Sequence, residues 1–351
     1  MTSPRGLARL EDVSSFDAII DVRSPAEYAE DHIPGAINCP VLDDEERARI
    51  GTLFVQSSPF EARKLGAALV AENIARHLRA HFQDKPRTWR PLIYCWRGGQ
   101  RSGAFTLVMR QIGWDACQLI GGYKPYRNFV LSTIAELPAE LRWRVVCGPT
   151  GSGKTALLAA LAARGEQVLD LEELACHRGS VLGAIPGRPQ PSQKAFETAI
   201  AERLLAFEPE RPIYVEAESR KIGRLQVPES LIQVIRSSTC VVIEASLDAR
   251  IAFLLRDYAH LGDDKATLLD CLASLAALHS RETLARWQVL VVEGRIKELL
   301  GELLSRHYDP LYAKSQKYNF ARLAQARTLK LAKLDPDSLD DAAERLLAYP
   351  D

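Results

Sequence analysis

Cys95 stands where the apolar run Leu92-Ile93-Tyr94 gives way to a glycine-rich turn bearing Arg97 and, just beyond it, Arg101. The run has the make-up of a core strand, and from Arg101 onward the spacing of Phe105, Leu107, Val108 and Ile112 predicts a helix. A thiol at such a junction faces the first amides of the helix. Free cysteine titrates near about 8.5, and a helix N-terminus with cationic neighbours lowers that value, so the surroundings favour a nucleophilic thiolate. The loop Cys95-Trp96-Arg97-Gly98-Gly99-Gln100, followed by Arg101 and Ser102, would ring the sulfur with backbone amides. A persulfide, a selenide or a phosphoryl oxyanion attached to that sulfur would meet the same donors. The competing reading is a buried, inert cysteine, the commoner fate of this residue. Trp96 has two readings as well: stacking on a base or an apolar chain, or ordinary loop packing.

A second group of residues points to phosphate. Gly148-Pro149-Thr150-Gly151-Ser152-Gly153-Lys154-Thr155 fits GxxxxGK[ST] and lies between the strand-like "WRVVC" and an alanine-leucine helix, the context that motif requires. The glycines let successive N–H groups face one point, and Lys154 with the helix N-terminus adds positive charge there, which makes a diphosphate cradle. Asp170, Glu216 and Glu218 end strand-like runs, where ligands of such sheets gather. Each is a candidate to hold a metal such as Mg2+, to orient a nucleophile, or only to pair with an arginine. The cradle specifies phosphate without specifying a nucleotide: ATP, GTP and a non-nucleotide diphosphate all fit it. No base-reading element or attacking group is identifiable.

The elements that must position these residues read as α/β. A chain of 351 residues with 47% hydrophobic content has room for about two domains. No apolar run is long enough to cross a bilayer and the N-terminus lacks a signal-peptide centre, so no membrane partner and a cytoplasmic location are expected. The seven cysteines are odd in number and scattered, which suggests neither a disulfide framework nor a zinc site. Short apolar runs alternate with helical patterns as far as about Pro138, the mark of a parallel sheet. The expected division is a first domain at 1–138, with a helical insertion at about 41–90, and a second at 139–351. In the second, "EQVLDL", "RPIYVEAE" and "TCVVIEAS" read as strands, and the region after about Leu247 reads as mainly helical.

The charges balance, 45 basic against 45 acidic, which argues against a globally basic coat but not against a local patch. Three basic clusters stand out: Arg178 and Lys194 with Arg188; Arg220, Lys221 and Arg224; and Lys314 and Lys317 at the head of an acid-free run over 314–334. Tyr318 and Phe320 interleave with the last, a pattern used for single-stranded RNA loops. Solvated helix faces and structural ion pairs would explain the same charges. His177, His260, His279 and His307 show no ligand-like spacing and read as packing or hydrogen-bonding residues.

"IIDVRSPAEYAEDHIPGAINCPV", the Cys95 loop and "LIGGYKPYRNFV" together resemble a rhodanese domain. Phosphatases of that fold carry one loop residue more, so the six-residue loop here suits sulfur or selenium. Asp21, Arg23 and His32 match positions that brace the sheet and loop. With the second half included, through "GPTGSGKT", "HRGSVLGAIPG", "QPSQKAFE", "YVEAESRKIG" and "HYDPLYAKS", the chain resembles the tRNA 2-selenouridine synthase family, a rhodanese-like domain followed by a P-loop NTPase-like one. The resemblance implies a two-step exchange at the wobble position of the tRNA anticodon arm. The sulfur of 2-thiouridine is first geranylated by geranyl diphosphate. Selenium from selenophosphate then replaces the geranylthio group. No tightly bound cofactor is implied, and a selenophosphate-producing enzyme is a natural donor partner. On this reading Gly148 to Thr155 hold the diphosphate and Cys95 serves the selenium step, either carrying selenium or assisting loss of the thiol. The alternatives are a rhodanese-type sulfurtransferase fused to an NTPase or kinase, and a regulatory binding protein.

Overall fold

The computed structural model describes residues 6–180, 183–257 and 265–348, except for the side chains of 315–318. The chain divides into two compact units between Ser132 and Thr133. Each is built on its own five-stranded parallel sheet.

In the first unit the strands β1 (Leu7–Ala8), β2 (Ala18–Asp21), β3 (Ala36–Asn38), β4 (Pro91–Tyr94) and β5 (Cys117–Leu119) lie in the order β1-β5-β4-β2-β3. All pairings are parallel. Every residue of β4 is buried, as expected of a central strand covered on both faces. The helix Gln100–Ile112 lays Phe105 and Met109, both fully buried, against Ile20, Val22 and Ile93. Cys95 therefore emerges at the carboxyl end of the middle strand, where open α/β sheets place their ligands. Between β3 and β4 two helices, Asp44–Gln56 and Pro59–His81, pack on each other. Their starts are set locally: Asp43 and Ser58 cap them by accepting from the amides of Glu46 and Glu61. Asn73 ties the longer helix to the segment that follows β3 through the carbonyl oxygen of Val41 at 3.1 Å.

The second unit contains β6 (Arg142–Cys147), β7 (Gln167–Leu169), β8 (Pro212–Glu216), the short antiparallel pair β9 (Lys221–Ile222) and β10 (Leu225–Gln226), β11 (Thr239–Ala245) and β12 (Arg327–Leu331). The sheet runs β12-β11-β6-β8-β7, all parallel, with β6 at its centre. The helix Lys154–Ala163 leaves β6 through the glycine loop and buries Leu157, Leu158 and Leu161 against Val146, Tyr214 and Ile243. A mainly helical region follows β11. It has its own core of Leu268, Leu272, Trp287, Leu290, Leu299 and Leu303. Within the stretch read from sequence as helical, β12 is an exception: Leu329 and Leu331 point inward and dock on β11, while Lys330 faces out. Burying two leucines, roughly 1.5–3 kcal/mol each, outweighs the helical preference of so short a run. Among the described residues no helix is long and apolar enough to cross a membrane.

Candidate functional site

The thiol of Cys95 is buried at 3% exposure, and the hydroxyl of Ser102, on the first turn of the following helix, donates to its sulfur at 3.1 Å. Gln118, one strand away on β5, holds the loop shut. Its Nε2 donates to the carbonyls of Gly98 and Gly99 at 2.7 and 3.0 Å and to the Ser102 hydroxyl at 2.9 Å. Sequence reasoning missed Gln118, because nothing in "DACQLIGGY" marks it before β5 is known to lie beside β4. The Gly121-Gly122 turn closes the other side: the amide of Tyr123 donates to the Cys95 carbonyl at 2.8 Å and that of Lys124 to the Trp96 carbonyl at 3.2 Å. A Cβ on Gly122 would fall 2.2 Å from the Cys95 oxygen, in a backbone conformation with φ near 67°, so only glycine fits there.

Beneath the loop Arg23, almost wholly buried, forms a bidentate pair with Asp21 and reaches the Asp31 carbonyl at 2.6 Å. Its guanidinium carbon lies 4.1 Å from the Tyr123 ring and 6.0 Å from that of Trp96. The Trp96 and Tyr123 rings pack at 5.3 Å. His32 stacks on Tyr28 and bonds to its carbonyl at 3.0 Å. Arg97 and Gln100 are exposed. Arg101 turns its guanidinium to Glu27, at 2.8 Å, and Arg47 reaches the same carboxylate at 3.0 Å. Burial opposes the charge on Glu27, but the two arginines outweigh it and hold the carboxyl down at about 2.

In the second unit the lysine of the phosphate loop folds back: Lys154 Nζ donates to the Gly148 carbonyl at 3.0 Å. The Thr155 hydroxyl donates to Glu172 at 3.0 Å, and the Gly148 amide to the Tyr312 hydroxyl at 2.5 Å. Arg250 braces the loop from outside, donating twice to the Thr150 carbonyl at 2.9 and 2.7 Å while paired bidentately with Asp309. Ser152 is fully buried, and a Cβ on Gly151 would meet Leu254 at 2.8 Å. Gly153 caps the following helix in the left-handed conformation.

The acids named from sequence separate by role. Asp170 caps the helix Leu171–Leu174, accepting from the amide of Glu173 at 2.8 Å. Glu216 is fully buried; one oxygen accepts from the Glu172 amide at 3.0 Å and the other has no partner among the described residues. Glu218 faces Glu172 and Lys154, so the sequence list lacked the acid that holds Thr155. Burial, then the neighbouring charge of Glu218, pushes Glu172 up to about 8. Burial raises Glu216 and Glu218 too, with Lys154 pulling Glu218 the other way. These carboxyls cannot all ionise in one low-dielectric pocket. Among the described residues no three side chains of His, Cys, Asp or Glu are grouped to hold a metal ion.

Loop and acids open into a cavity of about 700 Å³. One wall is apolar, formed by Phe253, Leu254, Tyr308 and Leu311, and Leu311 is 50% exposed. His307 also lines it, and its Nδ1 lies 2.9 Å from Nε2 of His279, a pairing that a separation of 28 positions hides from sequence.

The basic residues are scattered and largely paired. Arg178 bonds to Asp257, Arg188 to Glu173 at 2.7 Å and Arg220 to Glu229 at 2.7 Å. Arg224 donates to the Pro191 carbonyl at 3.2 Å. Lys194 is half-buried in the first turn of the helix Gln193–Leu205, and Lys221 and Lys314 are exposed. The side chains of Lys317 and Tyr318, and all of His260, lie outside the described residues. Phe320 corrects the sequence reading: its ring is 5% exposed, turned into the protein by its own apolarity, and is not presented to RNA.

Residues 5–128 match the family model for the rhodanese-like domain, and residues 141–280 the one for the tRNA 2-selenouridine synthase AAA domain. The chain is 38% identical over 247 residues to the tRNA 2-selenouridine synthase of Nitrosomonas europaea, covering 68% of this chain and 63% of that one, just under two thirds of the relative's length. It is 34% identical over 323 residues to the tRNA 2-selenouridine synthase of Alcanivorax borkumensis, covering 84% and 88%. Among solved structures, a rhodanese-related protein from Thermoplasma volcanium matches 35% of this chain and 91% of its own, at 17% identity and a TM-score of 0.23.

Proposed function

This chain belongs to the tRNA 2-selenouridine synthase family, and from that premise we propose that it converts 2-thiouridine at the tRNA wobble position to 2-selenouridine in two steps. In the first, geranyl diphosphate alkylates the sulfur. In the second, selenium from selenophosphate displaces the geranylthio group. The first step turns a poor leaving group into one that departs as a thiolate.

The observation that carries the reading is the composition of the second unit's cavity, a phosphate loop beside a wall of Phe253, Leu254 and Leu311. The diphosphate of an allylic ester would take free amides of the Gly148–Thr155 loop, in which Pro149 has none, drawing Lys154 off the Gly148 carbonyl. The cradle then stabilises the charge that develops as the C–O bond breaks. The hydrocarbon would lie on the apolar wall. In the first unit the Ser102 hydroxyl and the closed loop suit a soft anion at Cys95. Trp96, packed on Tyr123, offers a face to a base or prenyl group.

The test is to incubate the protein with 2-thiouridine tRNA and geranyl diphosphate, with and without selenophosphate, and to weigh the nucleosides after digestion. S-geranyl-2-thiouridine without selenophosphate and 2-selenouridine with it are expected. An unchanged nucleoside together with rapid ATP hydrolysis would favour a sulfurtransferase fused to an NTPase.

A further inference from the structure

The helix Ile296–Leu303 does not run straight into the helix Asp309–Asn319; a π-turn, Leu304–Tyr308, intervenes. Such turns cost hydrogen-bond geometry and are common at functional sites. Here the turn brings His307 and Tyr308 to the phosphate-loop cavity, one helical turn ahead of Tyr312. His307 is 4% exposed, and its Nδ1 is engaged by His279. His279 is half-buried, with its ring edge-on to Trp287 at 4.7 Å. One imidazole thus fronts the cavity and the other leads away from it.

We propose that His307 is the general base of the alkylation step and that His279 relays its proton outward. The inference rests on the proposed function and deepens it. Alkylating a 2-thiouridine removes a proton as well as diphosphate. Sulfur donates a lone pair to the allylic carbon, the C–O bond breaks, and its electron pair leaves with the diphosphate. The C2–S bond becomes single, the N3–H electron pair becomes the second C2–N3 bond, and the N3 proton passes to His307 Nε2. His307 then releases its Nδ1 proton to His279 Nε2, and His279 gives its own Nδ1 proton to water. This uses the tautomer in which His307 Nδ1–H donates to His279.

A base must be neutral at working pH, and burial, then the neighbouring His279, holds His307 below its ordinary value. The charged and ionisable groups around the same cavity are Lys154, Asp170, Glu172, His177, Glu218, Arg178 paired with Asp257, and Arg188 paired with Glu173. From the helix Arg281–Val292, Arg286 and Trp287 engage Glu302, leaving that carboxylate committed elsewhere. The other candidate bases on the cavity are Glu172 and Glu218, which face each other, with Glu172 accepting the Thr155 hydroxyl, and His177, whose buried Nδ1 has no partner among the described residues. An acid limb that vanishes in His177→Gln but survives in His307→Gln would assign the role to His177.

The test follows single-turnover S-alkylation of 2-thiouridine tRNA by geranyl diphosphate across about pH 5 to 9. His307→Gln should be slower by about 100-fold or more, should lose the acid limb of the profile, and should bind geranyl diphosphate as tightly as the parent by calorimetry. Added imidazole should restore part of the rate to His307→Ala, which a packing role would not allow. A parent-like profile in folded His307→Gln would overturn the assignment. So would an acid limb that survives in His307→Gln but vanishes in Glu172→Gln. If the parent protein itself makes no S-alkyl nucleoside, the proposed function fails and this inference with it.

Discussion

Residues divide the chemistry more sharply than their neighbourhoods in sequence suggest. On the proposed function Cys95 and Lys154 serve different steps, so Cys95→Ala should still geranylate 2-thiouridine tRNA while failing to insert selenium; loss of both products in a folded variant would contradict that division. Lys154→Ala should weaken binding of inorganic diphosphate by roughly tenfold or more, as expected for a lost charge-assisted hydrogen bond of about 1.5–3 kcal/mol, measured by calorimetry. Glu27 gives a pH signature. Its folded value, about 2, lies below the ordinary 4.5, so its stabilising contribution is complete above about pH 4.5 and fades as pH falls toward 2. Glu27→Gln should therefore flatten the acid side of the unfolding curve of the first unit, and an unchanged acid midpoint would count against the Arg101–Glu27–Arg47 pairing.

At the scale of elements, both sites depend on short segments supplied by distant sequence. The Gly121-Gly122 turn clamps the Cys95 loop, and Gly122→Ala would place a methyl carbon 2.2 Å from a carbonyl oxygen. Selenium insertion should be lost in that variant while diphosphate binding in the other unit persists, and normal 2-selenouridine formation would show that the turn is not needed. The phosphate loop is held from outside by Arg250, which is 5% exposed and shared between Thr150 and Asp309. Arg250→Ala removes charge-assisted bonds worth about 2 kcal/mol and frees the Thr150 carbonyl. The second unit should unfold at lower urea concentration and bind diphosphate more weakly, the two effects appearing together.

For the whole molecule, the proposal requires one tRNA base to be treated twice by one chain. Given tRNA already carrying S-geranyl-2-thiouridine, Lys154→Ala should insert selenium at close to the parent rate, and Cys95→Ala should not. Failure of Lys154→Ala on that substrate would mean the phosphate loop also serves the second step. The neutral overall charge leaves RNA binding to local patches, and of the eight cations in the three clusters only Lys221 and Lys314 are exposed without an ion pair or side-chain hydrogen bond among the described residues. Binding should therefore fall with salt less steeply than for a protein with a broad basic face.

Local chemistry was legible in the sequence because the motifs are contiguous. A strand, a glycine turn and a helix start within a dozen residues specify their own backbone path, so the Cys95 loop, the Gly148–Thr155 cradle and the two parallel sheets could all be read from residue order. The partners of those loops could not. Gln118 on Ser102, Glu172 on Thr155, Arg250 on Thr150 and His279 on His307 lie between 16 and 100 residues apart along the chain. Side-chain pairs of that kind are set by which strand lies beside which and by where a π-turn rotates a helix face. Those are outcomes of packing the whole core, and only the tertiary structure decides them.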